Sequence, residues 1–84
     1  MSVTIEIPLN HFDSFVGRCD PASDDYAVLK TGVIIRRPKA DHFERVVEIR
    51  CTIEEARELL NAAAFFYPDV LPYIQDALAT ALDS

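Results

Sequence analysis

The sequence predicts an α+β domain in which a three-stranded antiparallel sheet is followed by a C-terminal helical hairpin. Two segments, about residues 3–8 and 42–51, alternate apolar with polar side chains, which is typical of half-buried strands. A third segment begins at Thr52 with a helix capping signal and continues with a helical apolar period. The 84 residues correspond to a single domain, residues 1–84.

The first strand is predicted over about residues 3–8, where every second side chain is apolar. Pro8 has no amide hydrogen to donate to a neighbouring strand, so this strand either ends there or lies at an edge of the sheet. A short helix over about residues 10–17 follows, and Gly17 is expected to close it.

The second and third strands are predicted to form an antiparallel hairpin. Residues 18–25 are rich in turn formers and are expected to be a surface loop. The second strand then covers about residues 26–37, with Gly32 as a bulge or a point of close backbone approach. The third strand covers about residues 42–51, and the tip between the two strands is basic. The basic residues of this tip are Arg36, Arg37 and Lys39.

The C-terminal helical hairpin is predicted from its caps. Thr52 and Glu55 form a capping box, which places the start of a first helix over about residues 52–67. Asp69 is the expected N-cap of a second helix over about residues 69–83. The apolar residues expected on the buried stripe of the second helix are Val70, Ile74, Ala77, Leu78, Ala81 and Leu82.

The first of these helices becomes apolar on all sides near its end. Phe65, Phe66 and Tyr67 follow one another, and three consecutive side chains on a helix span too wide an arc for one neighbour to cover. Either the following helix or a second subunit is therefore expected to pack against this aromatic cluster.

The charge distribution limits the classes of partner. The formal net charge is -6, which argues against direct binding of nucleic acid because phosphate backbones require a positive surface. All 8 basic residues lie between Arg18 and Arg57, so an acidic helical end and a basic hairpin tip are expected. Paired guanidinium groups at the tip could grip phosphate or carboxylate groups, or the charges could simply keep strand edges from associating.

The cysteines and the apolar runs predict a soluble cytoplasmic protein. No apolar run approaches the roughly 20 residues that span a bilayer, so no membrane partner is expected. Cys19 and Cys51 belong to no paired motif and are interpreted as reduced thiols rather than a disulfide. Cys51 lies on the inward side of a predicted strand and is expected in the core, with Cys19 the more exposed of the two.

No motif in the sequence indicates catalysis or a cofactor. The nominal zinc ligands have no closely spaced pair among them, so no metal site is expected. They are Cys19, Cys51, His11 and His42. Because the chain contains only 2 glycines, a glycine-rich phosphate-binding loop is excluded. An enzyme is therefore not expected.

The sequence favours a non-catalytic, small acidic protein–protein interaction module. It is expected to bind another protein or, as a homodimer, a second copy of itself, through the aromatic end of the first long helix and an exposed strand edge. The expected contact residues are Phe65, Phe66, Tyr67, Arg36, Arg37 and Lys39. An alternative is an acidic inhibitor of the phage or mobile-element type, which imitates nucleic acid and binds a nucleic-acid-handling enzyme. A small enzyme or metal protein is the third hypothesis.

Overall fold

A computed structural model describes residues 2–83 and confirms the α+β architecture. The strands are β1 (Ser2–Pro8), β2 (Val33–Pro38) and β3 (Phe43–Thr52). The helices are α1 (Leu9–Arg18), α2 (Asp24–Leu29), α3 (Ile53–Phe66) and α4 (Leu71–Asp83), with a 3-10 turn at Pro68–Val70. Both strand pairs are antiparallel and the strand order is β1-β3-β2, so β3 is central.

The hydrophobic core lies between one face of the sheet and the helices. Val3, Ile5 and Ile7 of β1 are buried on this face. Their partners across the strand pair, Cys51, Ile49 and Val47, are buried as well. Large helical side chains complete the same cluster: Phe15, Leu29, Leu59, Ile74 and Leu78. Helix α4 packs against β1 and α3.

The start of α3 is confirmed by its cap. The Glu55 amide donates a hydrogen bond of 3.1 Å to the Thr52 hydroxyl, and the Thr52 amide donates one of 2.9 Å to the Glu55 carboxylate. This reciprocal pair satisfies two backbone amides that the helix itself cannot. The prediction that β1 ends at Pro8 or lies at a sheet edge is also confirmed, since it does both.

The predicted strand over residues 26–37 is wrong in its first half. Residues from Asp24 to Leu29 form α2, and β2 begins only at Val33. The Ser23 hydroxyl accepts a hydrogen bond of 3.1 Å from the Tyr26 amide and so caps this helix. Acidic residues in the first turn, Asp24 and Asp25, favour the same start through the helix dipole.

Gly32 lies between α2 and β2 as a point of close backbone approach. A methyl group added there would collide with Val47 Cγ1 and lie 3.2 Å from Ile49 Cγ1. The absence of a side chain at Gly32 therefore lets the end of α2 sit directly on the buried side chains of β3.

Three smaller expectations also need correction. Cys19, expected to be the more exposed thiol, is as buried as Cys51, each being 7% exposed. Cys19 belongs to the hydrophobic core cluster, although the sequence around it is that of a polar loop. Leu82 was expected on the buried stripe of α4 but is 56% exposed, and it lies one residue before the end of this helix. The last helix begins at Leu71 rather than after Asp69, since a 3-10 turn precedes it.

Candidate interaction surfaces

The β2–β3 hairpin carries the predicted basic tip. Its two strands remain paired from Val33 to Pro38 of β2. The connecting residues 39–42 are closed by a hydrogen bond of 2.7 Å, which the Lys39 amide donates to the His42 carbonyl. Successive side chains of each strand point to opposite faces of the sheet. We call the face that packs on the helices the core-side face and the opposite face the outer face.

On the outer face, the basic residues are neutralised within the chain. Arg37 donates hydrogen bonds to both carboxylate oxygens of Glu6 in β1, and the bond from Nε to Oε1 is 2.8 Å. Hydrogen bonding from Arg37 lowers the pKa of Glu6. Lys39 forms an ion pair of 3.8 Å with Glu44. Two of the three predicted basic contact residues thus already have acidic partners.

On the core-side face, the hairpin carries unpaired charge between exposed apolar side chains. Arg36 lies directly opposite Arg45 in the register, on the same face as the buried Val47. Within residues 2–83, neither guanidinium has an acidic group at ion-pair distance. Ile34 is 58% exposed and Phe43 is 64% exposed. We call Ile34, Arg36, Phe43 and Arg45 the hairpin stripe.

The hairpin stripe opens at Ile34 into a shallow groove of about 240 Å³. The groove lies between β2 and the first two helices, and its other lining residues include Leu9, Phe12, Asp13, Leu29 and Lys30. The outer edge of β2 has no neighbouring strand among the described residues. The apolar end of the stripe is therefore concave and accessible, and it can accept a bulky side chain.

The aromatic cluster at the end of α3 is divided by the fold. Phe65 is 82% exposed and Phe66 is 41% exposed, and their rings pack edge to face with centroids 4.9 Å apart. Tyr67 is instead half-buried, with its hydroxyl 3.0 Å from His11 Nδ1 and the Arg18 guanidinium 5.1 Å from its ring centroid. Phe65 and Phe66, which we call the aromatic patch, are thus available to a partner, whereas Tyr67 packs within the chain.

The surroundings of the aromatic patch are acidic. Asp24 and Asp25 of α2 and Glu58 of α3 line a groove of about 490 Å³ together with the two phenylalanines. The pKa of Asp25 is raised, mainly because the carboxyl group is partly buried and to a smaller extent because the charge of Asp24 lies nearby. Arg18 also lies near this end, but its guanidinium donates a hydrogen bond of 3.0 Å to the Phe66 carbonyl. An incoming group at the patch therefore meets three carboxylates and one guanidinium group beside an apolar surface, so the local charge is net negative.

The nominal zinc ligands have separate environments. Both thiols are free and buried, and burial raises the pKa of each. His11 contacts Tyr67, while His42 lies 2.8 Å from its neighbour Asp41. Over residues 2–83, no group of three or more His, Cys, Asp or Glu side chains is placed to hold a metal ion.

Several residues of these surfaces were missed by sequence reasoning. Arg45 stands at a position of β3 where the alternation calls for an apolar residue. This charged residue was the sequence signal that the core side of the sheet is exposed at that point. Asp24 and Asp25 were interpreted as a solvated turn because α2 was not predicted. Their position beside Phe65 depends on how α2 packs on α3, which no local pattern encodes.

Comparisons of the chain with protein-family models, with curated proteins and with solved structures find no match. Among the helices of the described part of the chain, none combines the length and the apolar character needed to cross a bilayer. Function must therefore be inferred from the surfaces themselves.

Proposed function

We propose that this chain is a non-catalytic protein–protein interaction module that associates with itself. The observation that carries the proposal is the aromatic patch, in which Phe65 is 82% exposed at the end of a well-capped helix. Burying a phenylalanine side chain contributes about 1.5–3 kcal/mol relative to leaving it in water. Buried aromatic side chains are also the residues that most often dominate the energy of protein interfaces.

The titratable groups with shifted pKa values support a structural role for the charged residues. Glu6 and Arg37 bind each other across the sheet, and the two thiols are buried in the core. The remaining group, Asp25, lies beside the aromatic patch, where a partner would contact it. We further propose that the module works in the reducing cytoplasm, since its free thiols, Cys19 and Cys51, are unbridged.

Sedimentation equilibrium of the wild-type chain and two matched variants tests this function. We expect the wild type to have the mass of two or more chains at micromolar concentration. Phe65→Glu is expected to sediment as one chain with an unchanged circular dichroism spectrum, because Phe65 is mostly exposed and makes little contribution to the core. Leu82→Glu is the control, since Leu82 is also an exposed apolar residue on a helix but does not line the groove beside the patch.

A wild-type chain that sediments as a single chain throughout the micromolar range would contradict self-association. Equal loss of association in Phe65→Glu and Leu82→Glu would show that the aromatic patch is not the contact.

A further inference from the structure

We infer that self-association is head to tail: the aromatic patch of one copy, with its acidic surroundings, docks on the hairpin stripe of the next copy. This inference rests on the proposed self-association and specifies its geometry. The two surfaces share no residue, so each copy can offer both at once.

Charge is the first argument for this pairing. Three carboxylates line the groove beside the aromatic patch: Asp24, Asp25 and Glu58. The hairpin stripe presents Arg36 and Arg45, for which the described residues supply no acidic partner. A twofold contact between two aromatic patches would bring carboxylates against carboxylates, whereas the head-to-tail contact brings carboxylates against guanidinium groups. Arginine also binds carboxylates in a bidentate geometry.

Apolar complementarity is the second argument. The exposed Phe65 ring needs an apolar acceptor, and the hairpin stripe offers Ile34 at the mouth of a groove of about 240 Å³. Guanidinium groups also stack favourably on aromatic faces. A ring seated beside Ile34 would therefore lie next to Arg36, and the carboxylates around the ring would face Arg36 and Arg45.

An alternative contact, in which the β2 strands of two copies pair edge to edge, is disfavoured. If β2 of one copy paired antiparallel with β2 of another and the two core-side faces pointed the same way, the hairpin stripes of both copies would lie side by side on one continuous face. Arg36 and Arg45 of each copy would then gather without an acid between them. The unpaired arginines thus favour an acidic surface over a second stripe as the occupant.

A head-to-tail contact is heterologous, so it continues from copy to copy unless a ring closes. We therefore expect the mass of the wild type to rise past two chains with increasing concentration.

The decisive experiment mixes two variants, each lacking one of the two surfaces. Phe65→Lys removes the ring and would place a cation against Arg36 of the next copy, so it blocks the aromatic patch and keeps the stripe. Arg36→Glu with Arg45→Glu blocks the stripe and keeps the patch. We expect each variant alone to sediment as one chain and an equimolar mixture to form a complex of two chains, because one intact patch meets one intact stripe.

Two controls separate charge from folding. Arg50→Glu makes the same change in net charge as Arg36→Glu alone but lies on the outer face of the sheet, and we expect it to associate as the wild type does, whereas Arg36→Glu should associate more weakly. Arg36→Gln with Arg45→Gln removes the charges without reversing them, and we expect at least about a tenfold weaker association with native circular dichroism. This milder variant keeps the test decisive if the charge reversal itself disturbs the hairpin.

Salt adds an independent readout. Raising the salt concentration from about 50 mM to about 500 mM screens attraction between opposite charges, so we expect the wild-type association to weaken. Strengthening by salt would overturn the head-to-tail contact, because it would indicate that like charges face each other. Wild-type association of the Arg36→Glu, Arg45→Glu variant, or a mixture without a complex, would also overturn it while leaving self-association intact. A wild-type chain that stays single under all conditions would instead refute self-association itself.

Discussion

Replacing Gly32 by alanine tests the close contact between the end of α2 and the sheet. The added methyl group would collide with Val47 Cγ1 and would lie 3.2 Å from both Ile49 Cγ1 and the Leu29 carbonyl oxygen. Val47 is 1% exposed and Ile49 is 0% exposed, so neither side chain can turn aside into solvent. The backbone between α2 and β2 must therefore move away from β3 to make room.

The magnitude follows from two opposing effects. An extra methyl group in a well-packed core costs about 1–3 kcal/mol. Alanine in place of glycine also restricts the unfolded chain, which stabilises the fold by about 0.4–1 kcal/mol where the backbone accepts it. The collision dominates, and we expect Gly32→Ala to lower the free energy of unfolding by about 1–2 kcal/mol. For a domain of this size, the melting temperature should fall by roughly 10 °C.

Thermal and urea unfolding followed by circular dichroism measure this change. Gly17→Ala is the matched control, because the position is helical and no atom outside its chain neighbours and the backbone of its own helix lies within 4 Å of the added methyl group. We expect this control to stabilise by about 0.5 kcal/mol. Combining Gly32→Ala with Val47→Ala should cost less than the sum of the two single changes, since the alanine methyl group then occupies vacated space. Additive costs, or wild-type stability of Gly32→Ala, would refute the proposed contact.

Three further predictions concern the cap, the thiols and the outer ion pair. Thr52→Ala should lower the free energy of unfolding by about 1 kcal/mol, and an unchanged urea midpoint would contradict the capping role. Cys19→Ser and Cys51→Ser should destabilise to a similar degree, and both thiols should react with a thiol reagent only as the chain unfolds; a rapidly reacting thiol would contradict the burial. Pairing with Arg37 lowers the pKa of Glu6 from its ordinary 4.5, so the stability it contributes is present above pH 4.5 and is lost as the pH falls through the folded-state value. Glu6→Gln should remove this part of the acid dependence of unfolding, and an identical pH profile would refute it.

The sequence predicted most elements because their signals are local. The alternation in β1 and the capping box at Thr52 lie within a few residues, and the structure confirms both. The signal for α2 was also local, since Ser23 precedes two acidic residues in the manner of a helix start. The apolar residues that follow Ser23 match a strand equally well over so short a length, and the N-cap decided in favour of the helix.

The interaction surfaces were only partly predictable, because tertiary contacts decide which side chains are buried and which charges are neutralised. Phe65 and Tyr67 lie two residues apart, yet Phe65 is 82% exposed whereas Tyr67 packs against His11 of α1, which is far away in the sequence. Likewise, Arg36 and Arg37 are neighbours in sequence, yet only Arg37 finds an acid across the sheet. Strand alternation separates the two arginines, but the position of Glu6 on β1 decides which of them is neutralised.

The lack of an acidic partner for Arg36 affects both the stability of the hairpin and the association that we propose. Like charges directly opposite each other on one sheet face destabilise the pair, so Arg36 and Arg45 weaken the isolated hairpin. In the contact that we propose, an acidic surface would cover these two arginines and would reduce this repulsion. The local repulsion between Arg36 and Arg45 would therefore be relieved in the proposed head-to-tail contact, where the carboxylates beside the aromatic patch of another copy would face the two guanidinium groups.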